Sequence, residues 1–311
     1  MGLDINGTRF LLYARKLNVE FTRTAMIGRQ SLHIDRRNLK QAFHAFGHAV
    51  DDAQVEAIYT RSNGYADQLL THLGASEVHS FDISSYEGPT HLHDMNREVP
   101  LAVRGQYTTV LDGGSLEHVF NFPMAIKNCM EMVSVGGHYI GITPANNFMG
   151  HGFYQFSPEL YCSIFTRENG FELISLVAIE DTPRAAWYAV RSPGDVRDRV
   201  TVVNCMPLYL LVVAKRVENV AMFMTTPQQS DYVSAWRQHD AAGDGAPPLT
   251  PASPRRASAP DLMRRCVPAS LKRLLKQVIR HASSGFDPRF YRPFDPTASE
   301  WSANNPHPRS S

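Results

Sequence analysis

Val110-Leu111-Asp112-Gly113-Gly114-Ser115-Leu116-Glu117-His118-Val119-Phe120-Asn121, with Val135-Gly136-Gly137-His138-Tyr139-Ile140-Gly141-Ile142-Thr143-Pro144 after it, decides the fold. The run Tyr107–Leu111 is short, apolar and rich in Thr and Val, which reads as a strand ending on an acid. Two glycines then let the chain turn sharply. Phe122 to Val133 has helical spacing, with Met124, Ile126, Cys129, Met130 and Val133 available for burial. Gly136-Gly137 breaks that helix, and His138–Ile142 reads as another strand. Strand, helix, strand in this order is a βαβ unit, and such units build a mostly parallel sheet.

Outward from this core, Leu39–Val50 and Tyr65–Leu73 suit helices, and Val55–Tyr59 and Val78–Phe81 suit strands. Ser157-Pro158-Glu159 opens a helix with an N-cap, a proline at the first helical position and an early acid. Asn169-Gly170 is its stop. Phe171–Ile179 and Thr201–Ala214 are the last strands expected, so the folded body is expected to end near Trp236. Residues 1–50 read as an N-terminal extension or lid. Their stretch Leu11–Ile34 carries Arg15, Lys16, Arg23, Arg29 and Gln30, and reads as a solvated face or an anion-binding lid. Residues 51–237 are expected to form the main α/β domain. Residues 238–262 are a Pro/Ala-rich linker, too poor in apolar side chains to offset its ordering entropy. Residues 263–311 form a basic tail. Between Arg255 and Arg280 eight basic residues face only Asp261, although the whole chain is nearly neutral at +1. Leu271, Leu274, Leu275, Val278 and Ile279 lie on one helical face there. Self-docking, disorder, and membrane-surface or protein contact through 263–282 all remain open readings.

The near-neutral total gives no reason to expect nucleic acid. Four scattered cysteines argue against a disulfide framework. With no basic, apolar leader and no long uncharged apolar run, a soluble cytoplasmic protein is expected. No metal site is expected either. There is no His-Glu-x-x-His pattern, and His91 and His93 lack a third ligand.

In open α/β sheets, ligands bind beyond the carboxyl ends of the strands. Five segments therefore matter: Thr60-Arg61-Ser62-Asn63-Gly64, Asp82, His93-Asp94-Met95-Asn96, Asp112-Gly113-Gly114, and the stretch from Thr143 to Phe156. Asp82 can accept from both ribose hydroxyls of an adenosine, or simply end a strand. Asp94 and Met95 can hold an adenine amino group and edge, or be a turn acid beside a core residue. Asp112, Gly113 and Gly114 can bring backbone against a ligand, or make a tight turn. Glu117 and His118 lie where an acceptor would approach, and His118 is either a base or a packing residue. His151 is a second candidate base. Asn146, Asn147 and Tyr154 belong to a segment dense in polar heads and aromatic faces, which suits a polar organic substrate.

Together the Asp-Gly-Gly-Ser-Leu-Glu-His segment, the Gly-Gly turn, Gly74–Asp82 and His93–Asn96 resemble a family. It is the class I S-adenosylmethionine-dependent methyltransferases, in particular bacterial members of the Leu-Glu-His type. The resemblance runs from about Gln54 to Val217. It implies a Rossmann-like, mostly parallel seven-stranded sheet with helices on both faces, and S-adenosylmethionine as cofactor. Ser62, Asn63, Gly64, Asp82, Asp94, Met95, Asp112, Gly113 and Gly114 would line the cofactor, and Glu117, His118 and His151 the methyl acceptor. The implied activity is methyl transfer to a small molecule or glycan. The first loop of that family is glycine-rich, whereas Tyr59–Tyr65 offers only Gly64. That departure keeps a second function open: a methyltransferase-like binding or regulatory protein without turnover.

Overall fold

The computed structural model describes residues 2–183, 185–196, 198–233, 236 and 285–298. The linker at 238–262 and the predicted helix at 271–279 lie outside the described residues. The chain opens with a short strand β1 (Gly2–Leu3), helix α1 (Ile5–Lys16), β2 (Arg23–Ile27) and β3 (Ser31–Leu32). Three helices follow, α2 (Arg36–Ala45), α3 (Asp52–Thr60) and α4 (Asp67–His72), then β4 (Glu77–Asp82) and β5 (His91–Leu92). Next come β6 (Tyr107–Asp112), α5 (Phe122–Met132), β7 (Val133–Asn146) and α6 (Pro158–Ile164). The body closes with β8 (Phe171–Glu180), β9 (Trp187–Val190), α7 (Pro193–Val196), β10 (Leu208–Arg216) and β11 (Tyr291–Phe294).

Among the described residues the main sheet has nine strands, in the order β11-β9-β8-β10-β7-β6-β2-β4-β5. Pairings from β5 through β7 are all parallel, and every pairing from β7 to β11 is antiparallel. The five parallel strands run third, second, first, fourth, fifth, the doubly wound order. The expected seven-stranded, mostly parallel sheet is therefore corrected to a mixed sheet of nine. Successive side chains of a strand face opposite sides, and they feed two cores. Val110, Tyr139 and Val212 meet α5 and α6 on one face, through Ile126, Cys129 and Tyr161. Leu111, Ile140 and Val213 meet α1 to α4 on the other, through Phe10, Leu11, Leu39 and Leu69. The helices thus cover both faces.

Two expectations about the N-terminal third are overturned together. Val55–Tyr59 is not a strand but lies in α3. Its apolar Val55 and Ile58 are one helical step apart, and Asp51 with Gln54 forms a complete capping box. The true first strand is β2, inside the stretch read as a lid. Ala25, Met26 and Ile27 are all buried, between β4 on one side and β6 on the other. Residues 1–50 are thus no detachable extension. The predicted helix at 39–50 is α2, capped by Asp35, whose carboxylate accepts from the Asn38 amide at 2.8 Å. Helix α6 is shorter than expected and continues after a break as a 3-10 turn, Arg167–Asn169, stopped by Gly170 at φ 74°. Ser157 precedes α6 without a side-chain cap bond. The strand expected at 201–214 is β10, later by several residues.

The body does not end near Trp236. β11 pairs antiparallel with β9, and Phe290 and Tyr291 are buried. Phe286 stacks on Tyr188 at 3.9 Å and 7°. Among the described residues, no helix is long and apolar enough to cross a membrane.

A pH prediction arises from β7. Burial, aided by the Lys215 charge, pushes the His138 imidazole down to about 4. The folded state thus favours the neutral ring, so its contribution is intact above the unfolded value of about 6.5 and is lost as pH falls toward about 4. Relative to His138→Gln, the wild type is expected to lose about 3 kcal/mol between pH 6.5 and 4. Urea unfolding of both proteins across that range checks this. A parallel pH dependence of the two would refute it.

Candidate functional site

The chain leaves β2 toward β4 and β5 on one side, then returns to place β6 on the other. Ligands bind at such a switch point, beyond the carboxyl ends. Gly28, at φ 67°, follows β2, and its amide donates to the Phe81 carbonyl at 2.8 Å. Gln30 is fully buried. Its Nε2 donates to the Ile27 carbonyl at 2.8 Å and to Ser115 Oγ at 3.3 Å, tying the loop after β2 to the loop after β6. A Cβ on Gly113 would stand 2.5 Å from Gln30 Oε1, so any larger residue there has to displace the Gln30 side chain. This first loop lies in the 1–50 stretch and not at Thr60–Gly64, where the sequence places it. Its signal in the sequence is Gly28 directly after the apolar run Ala25-Met26-Ile27.

Ser62, Asn63 and Gly64 are placed in the turn between α3 and α4, beside the first loop and not in it. The Ser62 hydroxyl stands 2.9 Å from the Ile58 carbonyl and 2.7 Å from that of Tyr65. Gly64 gives its carbonyl to the Leu32 amide, and the Ala66 amide donates to the Gln30 carbonyl. Asn63 is exposed at φ 51°. These residues brace the loop. Arg29 lies over Tyr65 at 4.2 Å, pairs with Asp67 at 3.3 Å, and donates to the Glu87 carbonyl.

Asp82 ends β4 as expected, partly exposed. Its Oδ1 accepts from the Ser84 amide at 2.8 Å, and among the described residues its Oδ2 has no hydrogen-bond partner. Ile83 beside it is 71% exposed, an apolar surface the sequence reading did not single out. His93 donates its amide to the Asp82 carbonyl, which brings the 93–96 segment alongside. Asp94 closes a turn onto the Asn96 amide and side chain. Those bonds hold its carboxyl below the usual range. Met95 is buried in the core with Phe81 and Phe122.

Asp112 departs from its expected role. It is fully buried, and both oxygens are taken within the protein. Oδ1 accepts from the Ser115 amide at 2.8 Å and more weakly from Leu116 at 3.3 Å, while Oδ2 accepts from the Tyr139 hydroxyl at 3.2 Å. Burial pushes its carboxyl up to about 6 despite these bonds. Asp112 thus shapes the loop, with both oxygens accepting from groups of the protein itself. Gly114 takes φ 89°, and a Cβ there would sit 3.2 Å from Glu117 Oε1.

That loop carries the 3-10 turn Leu116–His118. Glu117 is 1% exposed, and burial, with the Asp112 charge second, pushes its carboxyl up to about 8. Its carbonyl accepts from the Phe153 amide at 2.7 Å, so the loop after β7 lies against it. This puts His151 Nε2 3.3 Å from Glu117 Oε1, and the rings of His118 and His151 4.9 Å apart. The structure therefore brings the three proposed catalytic residues together. The imidazole of His118 is lowered, by burial and then by His151, which leaves a lone pair available. Phe120, Met149 and Phe153 stand exposed near the cluster.

The three expected substrate residues are occupied within the protein. Asn146 donates to Asn204 Oδ1 at 2.9 Å, and Asn147, at φ 61°, donates to Asn204 and to the Met206 carbonyl. They fasten the end of β7 to the 204–206 loop. The Tyr154 hydroxyl donates to the Phe120 carbonyl at 2.6 Å, and its ring lies against Phe156.

No family model matches the chain, and no curated protein matches it. Solved structures do. One is an S-adenosylmethionine-dependent methyltransferase from Mesorhizobium loti, 15% identical, covering 66% of this chain and 95% of that one, with a TM-score of 0.31. Another is the 1,6-didemethyltoxoflavin-N1-methyltransferase of Burkholderia thailandensis, 11% identical over 69% and 78% of the two chains, TM-score 0.34. A third is the branched-chain polyamine synthase of Thermus thermophilus, 13% identical over 72% and 59%, TM-score 0.35.

Proposed function

We propose that the chain binds S-adenosylmethionine across the ends of β2, β4 and β5. Its acceptor, a small polar organic molecule or a glycan, is presented at Glu117, His118 and His151. The observation that carries this reading is Asp82. Its carboxylate ends the second parallel strand, keeps one oxygen without a partner, and has exposed Ile83 beside it. That donor set fits a nucleoside, with the carboxylate for ribose hydroxyls and the apolar side chain for a flat base. Gly28, at φ 67° directly after β2, lets backbone run close to the ligand. When bound, the cofactor supplies an electrophilic methyl group. The chain's own part is to hold the acceptor in line, and such alignment alone can lower the barrier by several kcal/mol.

Calorimetric titration with S-adenosylmethionine tests the reading. Asp82→Ala removes charge-assisted hydrogen bonds worth about 1.5–3 kcal/mol. Affinity is therefore expected to fall about ten- to a hundredfold. Unchanged affinity in a folded variant rejects the assignment. At the other end, His118→Ala is expected to slow methyl transfer about a hundredfold by misplacing the acceptor, with cofactor affinity nearly intact. The packing of Gln30 against Gly113 favours a second reading, a binding or regulatory protein without turnover, because that side chain fills space beside the first loop. Absence of binding at millimolar cofactor would select it.

A further inference from the structure

We infer that Glu117, His118 and His151 form a site for a single divalent cation of the zinc class. One ligand atom from each lies within 4.8 Å of the other two. Two imidazoles and one carboxylate are a donor set that zinc takes in sites that keep a coordination position open. Both imidazoles are exposed, and zinc takes such donors at ~2.0–2.2 Å. The carboxylate is the fixed member.

A second observation points the same way. Glu117 is 1% exposed, yet its Oε2 has no hydrogen-bond partner. Among the described residues no Lys or Arg pairs with it, and its Oε1 lies 3.3 Å from His151 Nε2. A buried carboxylate with an orphaned oxygen is costly, and a bound cation removes that cost. The backbone is also built for the meeting. The Glu117 carbonyl accepts from the amides of Phe153 and Tyr154, at 2.7 and 3.3 Å. A Cβ on Gly152 would stand 2.8 Å from that carbonyl, and Gly152 sits at φ 67°. Glycine thus lets the loop carrying His151 close onto the turn carrying Glu117 and His118. The pattern is absent from the sequence because α5 and β7 separate the two segments.

The open position would take an oxygen of the acceptor, a hydroxyl or carboxylate. That role rests on the methyl-transfer reading, whereas the binding itself does not. The test therefore omits S-adenosylmethionine. The full chain, stripped with chelator, is titrated with Co2+ and followed by visible absorption, and Zn2+ is then added as competitor. One saturable equivalent, displaced by Zn2+, is expected. Glu117→Gln, His118→Ala and His151→Ala should each weaken Zn2+ binding at least about tenfold, and His93→Ala should leave it unchanged. No saturable binding, or binding untouched by all three site variants, overturns the inference. If a variant fails to fold, the wild-type imidazole NMR signals decide. Zn2+ must shift those of His118 and His151, and shifts confined to other histidines overturn it. A protein that binds the cation but not S-adenosylmethionine would refute the cofactor reading and leave the cation site standing.

Discussion

Tyr291→Ala is expected to lower unfolding free energy by about 3–5 kcal/mol, the cost of emptying a buried aromatic site. Tyr291 is 3% exposed, in the strand that closes one edge of the sheet. Its ring meets Phe286 at 5.1 Å and 87°, and Phe286 in turn stacks on Tyr188. At the far end of β11, Phe294 packs edge-on to Trp187 at 6.0 Å. Lys16, in the last turn of α1, holds the carbonyls of Pro296, Thr297 and Ala298 at 2.9–3.1 Å. A loss of this size is a large share of the 5–15 kcal/mol typical of a whole domain. Chemical denaturation of the full chain measures it. A chain ended after Trp236 should fare worse, because β9 becomes the sheet edge and the buried Trp187 is uncovered, which invites aggregation. Wild-type stability in Tyr291→Ala would show that β11 is dispensable.

The second large effect is at Asp112, where alanine and asparagine should part company. Alanine leaves the Ser115 and Leu116 amides and the Tyr139 hydroxyl without their acceptor, and unsatisfied buried groups cost about 1–3 kcal/mol each. A loss of about 3 kcal/mol is expected at neutral pH, because removing a buried charge offsets part of that cost. Asparagine keeps an acceptor for both amides and removes the charge, so it should be nearly neutral or stabilising. The pH dependence follows from the raised carboxyl. The folded state binds this proton more tightly than the unfolded chain. Wild-type stability relative to Asp112→Asn should therefore rise as pH falls from about 6 toward the ordinary carboxylate range. Equal losses in both variants, with no such pH dependence, would refute the loop-shaping role.

The sequence by itself determined the elements around its own strong signals. The run from Tyr107 to Ile142 produced β6, α5 and the central part of β7, because glycine pairs and a helical apolar stripe act locally. Asp82 at the end of β4 was legible for the same reason. So was the nearness of Glu117 and His118, which are neighbours in the chain. Three things were decided only in three dimensions. β2 has no alternating pattern to announce it, because a central parallel strand is buried on both faces. β11 lies beyond a long stretch of Pro-rich and basic sequence, and its pairing with β9 and the Trp187–Phe294 and Tyr188–Phe286 contacts bring it back to the sheet. The roles within the site were divided by burial, which spacing does not report. Asp112 and Met95 turned inward to hold the loops, Asn146 and Asn147 were spent on the 204–206 segment, and His151 was carried to Glu117 by a glycine that lets two backbones touch.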